Sequence, residues 1–328
     1  MNNPDKPLLS VENLKTYFYT NAGIVKAVDG VSFYVRPGEA LGLAGESGCG
    51  KSITCHSILR LLPKPAGRIV SGKILFEGVD MVTQPESRMR QWRGKEISMI
   101  LQDPLMALNP VYTIGNQVAE SFQLDKVARK SLQQKVIDVL KSVKIPSVEE
   151  RLNTYPLQFS VGMRQRTCAA IAISRYPKLL IADEPTTSLD VTIQDQFIKL
   201  LKEIQQRHHM ALILVTHDLG LVAESCDRVA IMYAGRIVET GSVLRVFENP
   251  AHPYTRALMQ AIPRLGQKNK RLFQIEGEPP NPANLPPGCY FHPRCHQAME
   301  HCKQEYPPEI PIQGDGYAAC WRYHKEEA

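Results

Sequence analysis

No apolar run in this sequence is long enough to cross a bilayer. The longest core-like stretches, 179–182 and 211–215, fall far short of the roughly 18 residues that a spanning helix needs. The opening MNNPDKPLLS has no basic patch followed by an apolar region, so no secretory signal is expected there. Blocks of like charge are also missing. The 39 Lys and Arg stand against 33 Asp and Glu, and the net charge of +6 is spread along the chain. That distribution argues against a nucleic-acid arm and for an ordinary solvated surface. There is no internal repeat and no low-complexity stretch. These absences point to a cytosolic protein that meets a membrane only through a partner.

What is present fits a globular chain. With 328 residues, 43% hydrophobic and 22% charged, there is material for one large domain and a smaller one. The eight cysteines would form a disulfide framework only in a secreted protein. Cys49, Cys55, Cys168 and Cys226 are scattered, whereas Cys289, Cys295, Cys302 and Cys320 crowd near the end. In a reducing compartment such crowding more often marks a metal site.

Short apolar segments at 9–11, 31–35 and 40–44 read as strands, with a turn at Arg36-Pro37-Gly38-Glu39. Residues 51–62 have helical periodicity through Ile53, Ile58, Leu59 and Leu62. Residues 115–150 and 158–173 read mainly as helix, and 179–183 and 212–216 as buried parallel strands. The expected fold is therefore α/β with a mainly parallel sheet. After about Pro250 the texture changes. Prolines gather at 279, 280, 282, 286 and 287 and again at 307, 308 and 311, so a loop-rich tail is expected that local patterning alone would not hold together.

Gly45-Glu46-Ser47-Gly48-Cys49-Gly50-Lys51-Ser52 fits G-x-x-x-x-G-K-[ST] between an expected strand and an expected helix. Backbone N–H groups of such a loop wrap phosphates, and the helix N-terminus adds positive potential. Lys51 is expected to reach the β- and γ-phosphates of a nucleoside triphosphate and Ser52 to bind Mg²⁺. Cys49 occupies a variable position of the loop. The apolar run 179–182 ends in Asp183 and Glu184. Asp183 is expected to hold Mg²⁺ through water, and Glu184 to polarise the attacking water in line with the γ-phosphate.

Four further segments, in order with these two, resemble the ATPase domain of ABC transporters. They are Gln102 after the strand-like 97–101, Phe159-Ser160-Val161-Gly162-Met163, Ser188-Leu189-Asp190 and Val215-Thr216-His217-Asp218. The resemblance implies a P-loop NTPase core with an antiparallel β subdomain and a helical subdomain. It implies that Gln102 senses Mg²⁺ and water, that His217 contacts the γ-phosphate and positions Glu184, and that Tyr17 or Phe18 stacks on adenine. It also implies that Ser160, Gly162 and Asp190 serve a partner's ATP across a dimer interface. The usual signature is L-S-G-G-Q, and Val161 stands where a glycine is normal. A β-branched residue there is expected to restrict the backbone and add bulk beside a phosphate, so that the partner's ATP is served poorly.

Ala27-Val-Asp-Gly-Val-Ser32, the run from Gln102 to Pro110, the run from Ile181 to Ile193 and His252-Pro-Tyr-Thr-Arg-Ala-Leu258 are similar to the dipeptide/oligopeptide importer family (DppD/OppD type). That resemblance implies a second homologous ATPase subunit, two transmembrane permease subunits and, indirectly, an extracytoplasmic peptide-binding protein. The chain would sit peripherally on the cytoplasmic face of the inner membrane. It also implies that Cys289, Cys295, Cys302 and Cys320 ligate a [4Fe–4S] cluster, with zinc as the alternative. The expected domains are 8–250 for the ATPase, with its helical subdomain at about 103–170, and 251–328 for the extension. Nickel-chelate or glutathione uptake, or a non-transport ABC ATPase, are the competing readings.

Overall fold

The computed structural model describes residues 6–122, 129–262, 273–312, 314 and 316–324. It divides into two compact units. One comprises Met1–Arg36, Ala40–Thr83 and Thr216–Ala328, the other Pro37–Glu39 and Gln84–Val215.

The first unit holds an antiparallel sheet ordered Gly23–Val35, Leu9–Thr20, Gly67–Phe76, Val79–Asp80. The alternation expected at 31–35 is realised: Val31, Phe33 and Val35 are buried, while Ser32 and Tyr34 are partly exposed. In the same unit the strand Ala40–Ala44 runs parallel to Arg228–Tyr233. Arg236–Ser242 pairs antiparallel with the latter. Ala40–Ala44 is wholly buried, and its small residues admit close neighbours. A Cβ on Gly42 would lie 2.7 Å from Val222 Cγ1. The helix Lys51–Ile58 follows the glycine-rich loop and stops four residues short of the expected end. The chain turns there because Arg60 adopts φ 53°, which a right-handed helix cannot accommodate.

The C-terminal tail builds onto this unit. Gly316–Ala318 pairs antiparallel with Arg236–Ser242, and Ile310–Ile312 pairs with Gly316–Ala318. Tyr290 and Phe291 enter one apolar cluster with Tyr233, Tyr254, Val229 and Ile231. The Phe291 ring lies 5.2 Å from that of Tyr233 and 5.3 Å from that of Tyr254, within the range of favourable aromatic pairs.

The second unit has three parallel strands, Ile97–Ile100, Leu179–Asp183 and Ala211–Thr216, in register. Leu179–Asp183 is buried along its whole length, as its unbroken apolar run requires. Helices Ile114–Glu120, Arg129–Ser142 and Val148–Arg151 occupy much of the expected 115–150 stretch, the helix expected from 158 begins at Val161 after the cap Ser160 and runs to Ile173, and Val191–His208 follows. Residues 123–128 of the expected 115–150 stretch lie outside the described residues. Lys144 and Ser147 take positive φ (60° and 47°) and separate the second helix from the third. Among the described residues no helix is long and apolar enough to cross a membrane.

Candidate functional site

The phosphate loop links the buried strand Ala40–Ala44 to helix Lys51–Ile58. Two of its glycines are required by close approach. A Cβ on Gly45 would lie 2.1 Å from the Met232 carbonyl oxygen, and one on Gly50 2.3 Å from that of Ala27. Gly50 also takes φ 106°, which side chains rarely adopt. Ser47 and Gly48 are exposed, Ser52 is half-buried, and Lys51 is buried at the first helical position. The Lys51 ammonium donates to the carbonyls of Gly45 at 2.9 Å and Glu46 at 3.0 Å. Cys49 is buried, its carbonyl accepts from the Gly235 N–H at 2.8 Å, and burial pushes its thiol pKa up. A thiol held protonated in this way is unreactive.

Tyr17 and Phe18 lie on the strand Leu9–Thr20 of the same unit, each half-buried. The Tyr17 hydroxyl donates to Asp29 at 2.6 Å, and the Tyr290 hydroxyl donates to the other oxygen of that carboxylate, also at 2.6 Å. Arg236 pairs with Asp29 at 3.2 Å. Burial works to raise the Asp29 pKa, but the two hydroxyls and the guanidinium outweigh it and hold the carboxyl below its ordinary value.

In the second unit the strand Leu179–Asp183 ends in buried Asp183, and Glu184 follows in the left-handed region at φ 42°. For a non-glycine residue this conformation costs about 1–3 kcal/mol. The Glu184 N–H donates to the Val215 carbonyl at 3.0 Å. One carboxylate oxygen, Oε2, accepts from Gln102 Nε2 at 3.1 Å and from the Thr187 hydroxyl at 3.1 Å. The structure therefore brings Gln102 and Glu184 together, 82 positions apart in sequence. Thr187 is a contact that the motifs did not single out, although it lies inside the run Pro185-Thr-Thr-Ser-Leu-Asp190.

Ser160 caps helix Val161–Ile173, its hydroxyl accepting from the Met163 N–H at 3.3 Å. Val161 is the first helical residue and is exposed, and it is absent from the residues with positive φ. The valine therefore does not strain the backbone, since the helical conformation suits an L residue here, and only its bulk is left to act on a phosphate. Gly162 lies against Ile193 of helix Val191–His208, and Asp190 caps that helix by accepting from the Ile193 N–H at 3.0 Å. In the first unit, His217 is exposed, and Asp218 after it caps helix Leu219–Ser225.

The expected four-thiolate metal site is not formed. Among the described residues no group of three or more His, Cys, Asp or Glu side chains is arranged to hold a metal ion. Cys289, Cys295, Cys302 and Cys320 are free thiols lining a cavity of about 20 Å³ beside Pro253, Phe291 and Trp321. That volume has room for about one water. Burial pushes the Cys289 thiol up to about 12 and raises those of Cys295 and Cys320. The [4Fe–4S] cluster and its zinc alternative are therefore withdrawn. The tail shares the apolar core around Tyr233 and Tyr254.

The run His252-Pro-Tyr-Thr, read in the sequence only as a family mark, has a structural task. His252 is buried, caps helix Pro253–Ala261, and its Nδ1 accepts from the Tyr254 N–H at 3.0 Å. Its backbone N–H donates to the buried Glu239 carboxylate at 2.8 Å, which also pairs with Arg245. Burial, with Arg256 nearby, lowers the His252 pKa from 6.5 to about 3. The unfolded chain thus takes up a proton in this window that the folded chain refuses. His252 then contributes stability that is present above pH 6.5 and lost as pH falls toward about 3. The loss is on the order of a few kcal/mol. Denaturant titrations between pH 7 and 4 should show this slope, and His252→Asn should flatten it. An unchanged slope in the variant would show that the imidazole is not its source.

The comparisons with known proteins agree with this geometry. The family described as "ABC transporter" matches residues 28–187, and "Oligopeptide/dipeptide transporter, C-terminal region" matches residues 238–302. A probable peptide ABC transporter ATP-binding protein of Sinorhizobium fredii is 47% identical over 317 residues, covering 96% of this chain and 95% of that protein. The dipeptide transport ATP-binding protein DppD of Bacillus subtilis is 46% identical, covering 96% of this chain and 94% of that one. A dimeric ATP-binding cassette solved with ADP and phosphate superposes with a TM-score of 0.65 at 20% identity, over 72% of this chain and 98% of its own. That likeness concerns the fold alone. The cbiO1 subunit of a Clostridium perfringens ABC transporter gives 0.64 at 27% identity, over 75% of this chain and 92% of its own. The class defined by this fold and loop is the ATP-hydrolysing cassette. Within it, the chain belongs to the family of peptide ABC-transporter ATP-binding proteins.

Proposed function

We propose that this chain powers the import of di- or oligopeptides through a membrane ABC transporter. It works as a heterodimer with a second homologous ATPase, on two transmembrane permease subunits supplied by an extracytoplasmic peptide-binding protein. It sits peripherally at the cytoplasmic face of the membrane. The observation that carries this reading is the match of residues 238–302 to the peptide-transporter C-terminal region. Near-full-length identity to peptide-transport proteins supports it.

On this reading the loop Gly45–Ser52 cradles the phosphates of ATP. The cramped backbone at Gly45 and Gly50 supports that role, because a loop this tightly laid leaves its N–H groups free of side-chain bulk. Lys51 exchanges its bonds to loop carbonyls for the β- and γ-phosphates. Ser52, Asp183 and Gln102 would hold Mg²⁺, whose charge offsets that of the phosphate oxygens. Glu184 orients and deprotonates the attacking water. The bonds that Oε2 accepts from Gln102 and Thr187 orient the carboxylate for that task. His217 contacts the γ-phosphate, and Tyr17 or Phe18 stacks on adenine. Ser160, Gly162 and Asp190 face the ATP of the partner subunit, where Val161 adds bulk.

The assembly is tested by purifying the affinity-tagged chain from membranes in mild detergent. Two multi-spanning membrane proteins and a second cassette ATPase are expected in stoichiometric amounts. Recovery with ribosomes or nucleic acid instead would contradict the assignment.

A further inference from the structure

Arg294 lies on a short 3₁₀ turn, His292–Arg294, 248 positions from Glu46 in sequence. Its guanidinium meets the Glu46 carboxylate with two parallel bonds, Nη1 to Oε2 at 2.9 Å and Nη2 to Oε1 at 3.1 Å. The arginine side chain is 5% exposed and that of the glutamate 25%, so the pair is largely shielded from solvent. Arg294 is itself fixed from other sides. Nε donates to the Glu276 carbonyl at 3.0 Å, and Nη1 also reaches the Tyr233 hydroxyl at 3.4 Å. The backbone of Glu46 is held as well, its N–H donating to the Tyr254 hydroxyl at 3.0 Å. Tyr254 is fully buried against Tyr233 and Phe291.

Glu46 is the second residue of the phosphate loop, and its carbonyl accepts from Lys51. A carboxylate on a loop that wraps a triphosphate repels the ligand unless its charge is cancelled. Bidentate pairing cancels it and fixes the geometry together, which a point charge would not do. We propose that Arg294 and Tyr254 make the C-terminal region a working part of the nucleotide site: Arg294 is a positioning residue that neutralises and clamps Glu46, and Tyr254 anchors the loop backbone. This rests on the reading of residues 45–52 as the ATP phosphate loop.

Binding of a fluorescent ATP analogue to the full-length chain, with hydrolysis by the assembled transporter, tests it. Arg294→Met should raise the nucleotide Kd about tenfold or more, since one partner of a shielded ion pair is lost. The KM for ATP should follow, while kcat at saturating ATP changes less than about threefold. Adding Glu46→Gln should recover most of the affinity, because the charge left unpaired is then gone. Arg294→Lys should recover it only in part. Tyr254→Phe removes a hydroxyl alone and should weaken binding by about threefold, which keeps the test open if Arg294→Met folds poorly. An unchanged Kd in Arg294→Met and Tyr254→Phe would overturn the proposal while leaving the loop reading intact. A loss that Glu46→Gln fails to rescue would overturn the electrostatic clamp and reduce Arg294 to a folding role. A wild-type chain that binds no ATP would remove the loop reading and the proposal with it.

Discussion

Replacing Glu184 by Gln should cut ATP hydrolysis by the assembled transporter at least about a hundredfold, the scale of a lost general base, while leaving ATP binding intact. The burial of strand Leu179–Asp183 fixes the point at which the chain emerges. Glu184 then adopts a left-handed backbone that its neighbours must hold in place. Gln102 and Thr187 both donate to Oε2, so the carboxylate is oriented before any water arrives. An amide keeps the shape but neither accepts the proton nor supplies the negative charge. The variant should accumulate with ATP bound and its dimer closed. Steady-state hydrolysis is best measured in a complex whose partner site is disabled. Near-normal turnover there would contradict the role given to Glu184.

Gly50→Ala should all but abolish nucleotide binding. The residue sits at φ 106° immediately before helix Lys51–Ile58. A methyl group there would stand 2.3 Å from the Ala27 carbonyl oxygen and 2.7 Å from Met232 Cε. The methionine tip can move, but the carbonyl belongs to the strand Gly23–Val35 and cannot shift alone. The positive φ adds about 1–2 kcal/mol for an L side chain. The loop must therefore leave its position, carrying Lys51 with it. Gly48→Ala provides the contrast, since a Cβ there meets nothing within 4 Å and only the positive φ opposes it. Titration with a fluorescent nucleotide should separate the two variants by about tenfold or more, the equivalent of roughly 1.4 kcal/mol. Equal affinities would show that the close approach to Ala27 does not shape the loop.

Local signals in the sequence are legible where a short segment carries its own chemistry. The loop from Gly45 to Ser52 lies between strand and helix as expected, and the apolar run ahead of Asp183 is a buried strand. Apolar spacing predicts a helix from Lys51 to Leu62, but the helix ends at Ile58, because the left-handed turn at Arg60 is a backbone event that spacing does not encode. Contacts set by tertiary folding were out of reach. Arg294 meets Glu46 across 248 positions and Tyr290 meets Asp29 across 261, and no local pattern couples such residues. The tail shows the opposite error. Four cysteines suggested a ligand set, but count and spacing do not fix the direction of thiols or their charge. In the fold they are free thiols, and among the described residues no group of side chains is arranged to hold a metal. His252 and Tyr254 were legible as a family mark, while their work, a helix cap and a hydroxyl on the phosphate loop, appears only once the chain is folded.

The central claim is that ATP hydrolysis by this chain drives peptide import. Its most direct test is uptake of radiolabelled di- and oligopeptides by proteoliposomes that contain the purified transporter, with the peptide-binding protein on the outside and ATP enclosed. The account predicts peptide accumulation that requires enclosed ATP and falls to background when this chain carries Glu184→Gln. Uptake that proceeds without ATP, or that persists undiminished with the Glu184→Gln chain, would contradict it.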